Sequence, residues 1–496
     1  MPNTILTADE QRKYAAEFAT TVTGNFIDGQ WTPSSSSESI EVFDPSTGGL
    51  LGHVPDSSIK DADAAVASAR AAQRAWAKTP PSARSQALLA VAAAVEANFE
   101  QMVALECIDA GKPVSVVRDE ELPGVLDAMR YFASAGRTMS AQAGGDYLDG
   151  ITSTMRREPL GVVVGITPWN YPLLQAVAKI FPALAVGNTV VIKPAETTPY
   201  STALLVQLAG EILPPGVLNV VFGTGAVAGD ALSRHPEVDV VSFTGSIDTG
   251  RKVGIAAADG VKKAVMELGG NSPVLVFADA DLPSALDAIA AGGLYNTGQE
   301  CMSATRVIVE ESIFDDVVAG LKERCETYVV GDALDPQTTV GPLNSAAQLA
   351  RVTAKLGSLP DTAEVVLGGE GESNGGGYFF PPTIIVGADQ DDEIVAEEIF
   401  GPVFTVQKFT DEADALAKAN GTRYGLASSV FTSNVGVATR AQNELNFGTV
   451  WINNHLVFGP DLPVSGFGYS GIGTENAEAG FLEFTRVKHI MVDNRI

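Results

Sequence analysis

Cys301 stands in NTGQECMSATR, residues 296–306, a stretch rich in Gly, Gln, Ser and Thr that runs straight into the β-branched Val307-Ile308-Val309. The pattern suggests a loop delivering a thiol to the edge of a sheet. Deprotonated, such a thiol is a nucleophile; packed at a turn, it is only a small buried residue. The stretch alone leaves both open, because local cysteine signatures do not transfer between families. Glu267, in MELGG, has apolar neighbours, and burial there would raise its pKa toward that of a base that activates water. Otherwise it is a surface glutamate at a strand end. Asn170, between Pro168 and Pro172, carries an amide NH₂ that can bond a developing oxyanion, or it serves only the turn. Gly245, Ser246 and Gly250 form GSxxxG, whose backbone N–H groups can approach a pyrophosphate; a plain strand–helix turn has the same composition.

The chain has 496 residues, too many for a single ordinary core. Its formal net charge of -28 disfavours nucleic acid and anionic membranes as partners. Three cysteines do not make a disulfide framework, so a reducing compartment, the cytoplasm, is expected. Cys107 and Cys325 fall in helical patterns and read as structural. The four histidines are scattered, and no HxxxH or CxxC pattern appears, so no metal site is expected. The opening MPNTILTADEQRKYAAEF lacks the basic-then-apolar order of a signal peptide. No apolar run reaches the ~18 residues of a membrane span.

The elements that must position these side chains come in blocks. Residues 1–60 read as an irregular or β-rich lead-in, with a hairpin at 26–31 turning on Asp28-Gly29. Residues 61–140 read as helices, including a long apolar period over 82–111. Residues 141–160 are polar, extended and turn-rich, as in a linker or an arm that pairs with another subunit. From Gly161, apolar strand runs at 161–166, 189–194, 217–222, 238–243 and 261–268 alternate with helical stretches. That order implies a parallel, doubly wound sheet, whose ligands bind beyond the carboxyl ends of the strands. Residues 271–470 repeat the α/β habit, and the tail turns polar and then β-rich.

ITPWNYP (166–172), VIKPAE (191–196), FTGS (243–246), MELGGNSP (266–273), GQECMSATR (298–306) and EEIFGPV (397–403) together resemble, in order and spacing, the motif set of the aldehyde dehydrogenase superfamily. The resemblance spans most of the chain. It implies an α/β fold of two doubly wound parallel domains with a small β bridging or oligomerisation element. The dinucleotide-binding domain would cover 1–140 and 160–267, the catalytic domain 268–470, and the bridging element 141–159 and 478–496. It further implies NAD as cofactor, with NADP possible, and a homodimer or homotetramer. The reaction would turn an aldehyde into its acid through a cysteine thiohemiacetal and thioester.

By that resemblance Cys301 matches the nucleophile, Glu267 the general base and Asn170 the oxyanion donor, with the backbone N–H of Cys301. Glu267 also implies release of a free acid, since the branch that acylates coenzyme A tends to lack it. Lys193 and Glu196 match residues on the adenosine ribose, where a carboxylate repels a 2′-phosphate. Ile166, Trp169, Gly229, Phe243, Gly245, Ser246, Leu268, Glu398 and Phe400 complete the implied cofactor set, Glu398 on the nicotinamide ribose. Tyr171, Gln175, Ala178, Glu300, Met302, Asn454, His455 and Phe458 match the aldehyde tunnel, and Ala178 stands where many relatives carry a bulky aromatic. Glu300 and Asp461 can attract a cationic group or simply lie solvated. The arrangement is loosely similar to the aminoaldehyde and betaine-aldehyde branches. A semialdehyde, or a general aliphatic or aromatic aldehyde, is the alternative; a semialdehyde's carboxylate would need a cation in the tunnel, for which only His455 is available. The intact set Asn170, Glu267, Cys301 and Glu398 argues against a non-catalytic homologue.

Overall fold

The computed structural model describes residues 5–140, 144–371 and 374–495. One sheet runs Gly471–Ile472, Lys263–Glu267, Val240–Thr244, Val162–Ile166, Thr189–Lys193, Leu218–Val220, Asn25–Ile27, Gln30–Thr32. Its central strands are parallel, and the flanking ones antiparallel. Val162–Ile166 and Thr189–Lys193 are buried along their whole length, so they read as near-continuous apolar runs rather than alternations. From Val162–Ile166 the chain builds outward in one direction, then returns to lay Val240–Thr244 on the other side. The reversal opens a crevice at the carboxyl ends of those two strands.

The second sheet runs Glu364–Leu367, Thr383–Val386, Val403–Phe409, Arg306–Glu310, Pro273–Val276, Ala427–Phe431, Thr449–Ile452, parallel except at its Glu364–Leu367 edge. Here the loops that matter precede the strands. Residues 268–272 lead into Pro273–Val276, 299–305 into Arg306–Glu310, and 397–402 into Val403–Phe409. In the first sheet the candidate ligand loops follow strands, and in the second they precede them. The cause is the crossing at 268–272, which passes directly from the carboxyl end of a strand in one sheet to the amino end of a strand in the other.

A third sheet is antiparallel, in the order Thr485–Asp493, Ile151–Pro159, Gly145–Leu148, with Thr485 opposite Pro159 and Asp493 opposite Ile151. Residues 141–143 of the expected bridging element, and 496 at its other end, lie outside the described residues.

Two local expectations change. The lead-in contains a helix, Ala8–Ala19, started by a capping box in which Thr7 Oγ1 accepts from Glu10 N at 3.4 Å and Glu10 Oε2 accepts from Thr7 N at 2.8 Å. The apolar period over 82–111 is two helices, Pro81–Ala97 and Phe99–Ala110, bent by 74° at their junction. Both halves bury apolar faces in the same core, through Leu88, Val91 and Val95 and through Met102, Val103 and Leu105. The Asp28-Gly29 hairpin forms as expected, with φ of 55° and 80°, both positive as a type I′ turn requires. No single helix among the described residues is long and apolar enough to cross a membrane.

Candidate active site

The cysteine loop is held by strained backbone and its own hydrogen bonds. After helix Leu282–Leu294, Asn296 and Thr297 take left-handed φ of 48° and 58°, and Gly298 follows at 68°. Left-handed non-glycine residues persist only where their surroundings fix them. Asn296 Nδ2 donates to Asn170 O at 2.9 Å and to Gln299 O at 3.2 Å, and Thr297 Oγ1 donates to Gly341 O at 3.1 Å. A Cβ on Gly298 would overlap the Gly401 carbonyl. Gly270, on the inter-sheet crossing, is equally constrained, because a Cβ there would overlap the Cys301 carbonyl oxygen.

A single cleft is lined by Asn170, Glu267 and Cys301 together with Trp169, Gly245, Ser246, Leu268, Glu398 and Phe400, and also by Tyr171, Gln175, Ala178, Glu300, Met302 and Phe458. Asn170 Nδ2 spends one hydrogen on Gln299 O at 3.0 Å, and the NH₂ group has a second. Cys301 is half-buried, and its Sγ donates to Glu300 Oε1 at 3.2 Å. Burial, then the carboxylates of Glu300, Glu267 and Glu398, push its pKa well above that of a free thiol.

Glu267 is buried, and its Oε1 has no hydrogen-bond partner among the described residues. Burial, then Glu475, drive its pKa well above the usual carboxylate range, against the pull of Lys179. Lys179 Nζ is wholly buried and donates to Glu475 at 2.7 Å, Thr244 Oγ1 at 2.6 Å and Gln175 Oε1 at 3.2 Å. Glu398 Oε1 accepts from Gly270 N at 3.0 Å, and burial lifts its pKa to about 7. Gly269 admits that carboxylate only because it lacks a Cβ. Phe400 takes a left-handed φ of 61°, and the Trp169 ring meets it edge-on at 5.2 Å.

Lys193 and Glu196 lie outside the cleft lining. Buried Lys193 Nζ donates to Pro194 O at 2.9 Å and to Glu196 Oε1 at 3.4 Å, and Glu196 Oε1 also accepts from Gly225 N at 2.5 Å. Ser246 caps helix Ile247–Asp259, and Gly250 packs so closely on Leu268 that a Cβ would overlap it. Gly229 is buried against the Lys193 stem, which lies 3.6 Å from where a Cβ would stand. These residues suit a dinucleotide: a capped helix N-terminus for phosphate, glycine backbone for close approach, and a buried cation with its carboxylate for hydroxyls. Ile166 and Phe243 sit in the core beneath, the Phe243 ring against Gly245.

Two tunnel candidates do not reach the cleft. Asn454 turns its amide back to Ile452 O at 3.1 Å and lines neither this cleft nor its neighbour. His455 lies in an adjoining cavity, where Nε2 is 2.7 Å from Met302 O and Nδ1 is 2.5 Å from Ser429 Oγ. Burial lowers its pKa to about 4, so at neutral pH it carries no charge for a substrate carboxylate. Asp461 is exposed and lines neither space.

The adjoining cavity shares Tyr171, Leu174, Ala178, Phe458 and Asn476 with the cleft and extends it to Glu120, Glu121, Phe132 and Tyr295. No lysine or arginine lines it. Lys112 neutralises Glu121 from behind at 2.5 Å and stands 4.1 Å over the Tyr171 ring. Sequence reasoning missed Glu120 and Glu121 because Arg118-Asp119-Glu120-Glu121 looks like a solvated charge run. It also missed Lys179, Glu475 and Arg351. Lys179 had a signal: it is the lone charge in PLLQAVAKIFPALAV, an otherwise apolar helix.

The family model for the aldehyde dehydrogenase family matches residues 31–490. Phenylacetaldehyde dehydrogenase of Pseudomonas fluorescens is 39% identical over 480 residues, 94% of this chain and 95% of that one. Betaine aldehyde dehydrogenase 1 of Rhizobium meliloti is 38% identical over 474 residues, 94% of this chain and 96% of that one. A crystal structure of betaine aldehyde dehydrogenase from Staphylococcus aureus in complex with NAD+ superposes with a TM-score of 0.93 at 34% identity, covering 97% of both chains.

Proposed function

The chain belongs to the aldehyde dehydrogenase family and oxidises an aldehyde with NAD, and on that premise we propose that Cys301 is its nucleophile, Asn170 its oxyanion donor and Glu267 the base of its hydrolytic step. One observation carries the reading: these three groups open into the same cleft as Ser246, Glu398 and Phe400. Cys301 Sγ attacks the aldehyde carbon, and the second amide hydrogen of Asn170 faces the oxygen as it gains charge. NAD, when bound, accepts the hydride. Ser246, Lys193, Glu196 and Glu398 hold the cofactor, and the partnerless Glu267 Oε1 takes the proton of the water that hydrolyses the thioester. The released product is a free acid.

The residues of the Val162–Ile166 sheet serve cofactor binding, over 1–140 and 160–267, and 268–470 serve catalysis. The strands within 141–159 and 478–496 join copies of the chain into a homodimer or homotetramer. Their exposed Tyr147, Leu148, Val487, Met491 and Val492 support this, since outer strands with apolar faces call for cover. A cytoplasmic setting agrees with cysteines that are all free.

The substrate is an aldehyde bearing a cationic amine. Glu300 lines the cleft, and Glu120 lines the adjoining cavity around Tyr171, Tyr295 and Phe132, and carboxylates with aromatic faces suit ammonium groups. A second reading, an arylacetaldehyde, is favoured by Ala178, a small side chain on the wall that both spaces share. The test is kcat/KM for betaine aldehyde, an aminoaldehyde, phenylacetaldehyde and succinic semialdehyde, repeated with Glu120→Gln. A preference for the cationic substrates that falls about tenfold in Glu120→Gln, the effect of ~1.4 kcal/mol, is expected. A preference for phenylacetaldehyde that the substitution leaves unchanged establishes the second reading.

A further inference from the structure

Glu300 does more than line the tunnel. Its Oε1 accepts from two donors, the Cys301 thiol and the Met302 backbone N–H, each at 3.2 Å. Ser303 N donates to Glu300 O at 3.1 Å, so backbone closes the turn around the side chain. The Glu300 residue is 9% exposed. The carboxylate is thus held beside Sγ by the Met302 N–H, in a turn that the Ser303 N–H closes.

Glu267 does not occupy that place. Its Oε1 lacks a hydrogen-bond partner among the described residues, and its electrostatic surroundings are Glu475 and Lys179. The other charges facing Sγ are the Glu267 and Glu398 carboxylates. Arg351 and Glu475 line the same cleft, the Tyr171 and Tyr295 phenols face Glu300, and Lys112 stands behind Tyr171. No cation among the described residues bonds the sulfur, and burial among carboxylates keeps the thiol protonated at rest. Such a thiol attacks only if a base takes its proton as the carbon–sulfur bond forms.

We propose that Glu300 is the proton acceptor of Cys301 in the acylation half of the reaction, which leaves Glu267 free for water in the second half. The proposal rests on Cys301 being the nucleophile. The S–H bond breaks, its proton passes to Glu300 Oε1, and the sulfur electron pair forms the bond to the aldehyde carbon. The C=O π pair moves to oxygen, toward the Asn170 amide. When water later cleaves the thioester, Glu267 takes the water proton. Sulfur leaves as thiolate and recovers its proton from Glu300.

The experiment is the rate of iodoacetamide alkylation of Cys301 in the full chain against pH, without aldehyde, for wild type, Glu300→Gln and Glu267→Gln. When Glu300 takes the proton as sulfur attacks, the rate follows the form with the thiol protonated and the carboxylate ionised, whose population does not change with pH until the thiol itself titrates. Wild type should therefore alkylate at a rate that is flat through the neutral range before rising with the thiol's own titration. Glu300→Gln keeps an acceptor for Met302 N but cannot take the proton. Its rate should climb about tenfold per pH unit through the same range, and its NADH burst should slow. Glu267→Gln should keep the flat limb. A flat limb that survives in Glu300→Gln, or that disappears in Glu267→Gln instead, overturns the proposal. So does a wild-type rate with no flat limb, which needs no variant. Failure of the nucleophile reading shows separately, as NAD reduction retained by Cys301→Ala.

Discussion

The pKa of a buried carboxylate decides when Glu267 can work. Its shift is upward, so its basic form is lost on acidification at a higher pH than for an ordinary glutamate. Steady-state turnover should therefore rise with pH over a range above that of an ordinary glutamate's titration. Glu267→Gln should give a burst of NADH close to one equivalent with turnover reduced by about 100-fold or more, from the lower end of the range for general base loss upward. Rapid-mixing absorbance resolves the two, and equal loss of burst and turnover counts against this role. At the proposed adenosine end of the cofactor site, Glu196 is held by Lys193 Nζ and Gly225 N, and its negative charge there would repel a 2′-phosphate. Glu196→Ala should raise the NADP to NAD ratio of kcat/KM by about tenfold, a change of ~1.4 kcal/mol. An unchanged ratio places the preference elsewhere.

Elements contribute by holding backbone where it does not go freely. The 296–298 turn has consecutive left-handed residues, and Gly298 lies under the Gly401 carbonyl. Gly298→Ala meets both obstacles, an unfavourable φ and an occupied space. It should move Cys301 by a fraction of an ångström to an ångström and cut the burst rate by about 100-fold, the cost of a misplaced reacting group. NAD binding, followed by fluorescence titration, should weaken far less than the burst rate falls, because of the proposed cofactor residues only Glu398 and Phe400 lie in the loop beside Gly298, and Ser246, Lys193 and Glu196 belong to the other sheet. An equal loss of NAD binding would show that the two sheets do not act separately. Lys179 makes the same point from a helix. A cation with no exposed surface is tolerated because Glu475 and Thr244 reach it from two other segments and Gln175 from one turn earlier on its own helix.

For the molecule as a whole, the third sheet is the clearest unfinished surface. Val487 and Met491 are exposed on an outer strand paired only on its inner side. Val487→Asp with Met491→Asp should lower the mass measured by light scattering to that of a smaller assembly. Cleft residues lie on other elements, so NAD binding should persist. An unchanged mass would remove this strand from the interface.

Much of this was legible in the residues. Local chemistry and burial are written in side-chain types, so the apolar strands, the Asp28-Gly29 hairpin and the thiol, amide and carboxylate candidates could be read from the chain, and their order and spacing identify the family. What sequence could not supply was convergence. Asn170, Glu267, Cys301 and Glu398 are up to 228 positions apart (398 − 170), and only the crossing at 268–272 sets one sheet's carboxyl ends against the other's amino ends. Tertiary packing also reversed single residues: it neutralised His455 by burial, turned Asn454 away, and made a cavity wall of Glu120 and Glu121. It placed the Glu300 carboxylate on the Cys301 sulfur, because side-chain direction within a turn follows from what packs around it and not from adjacency in the chain.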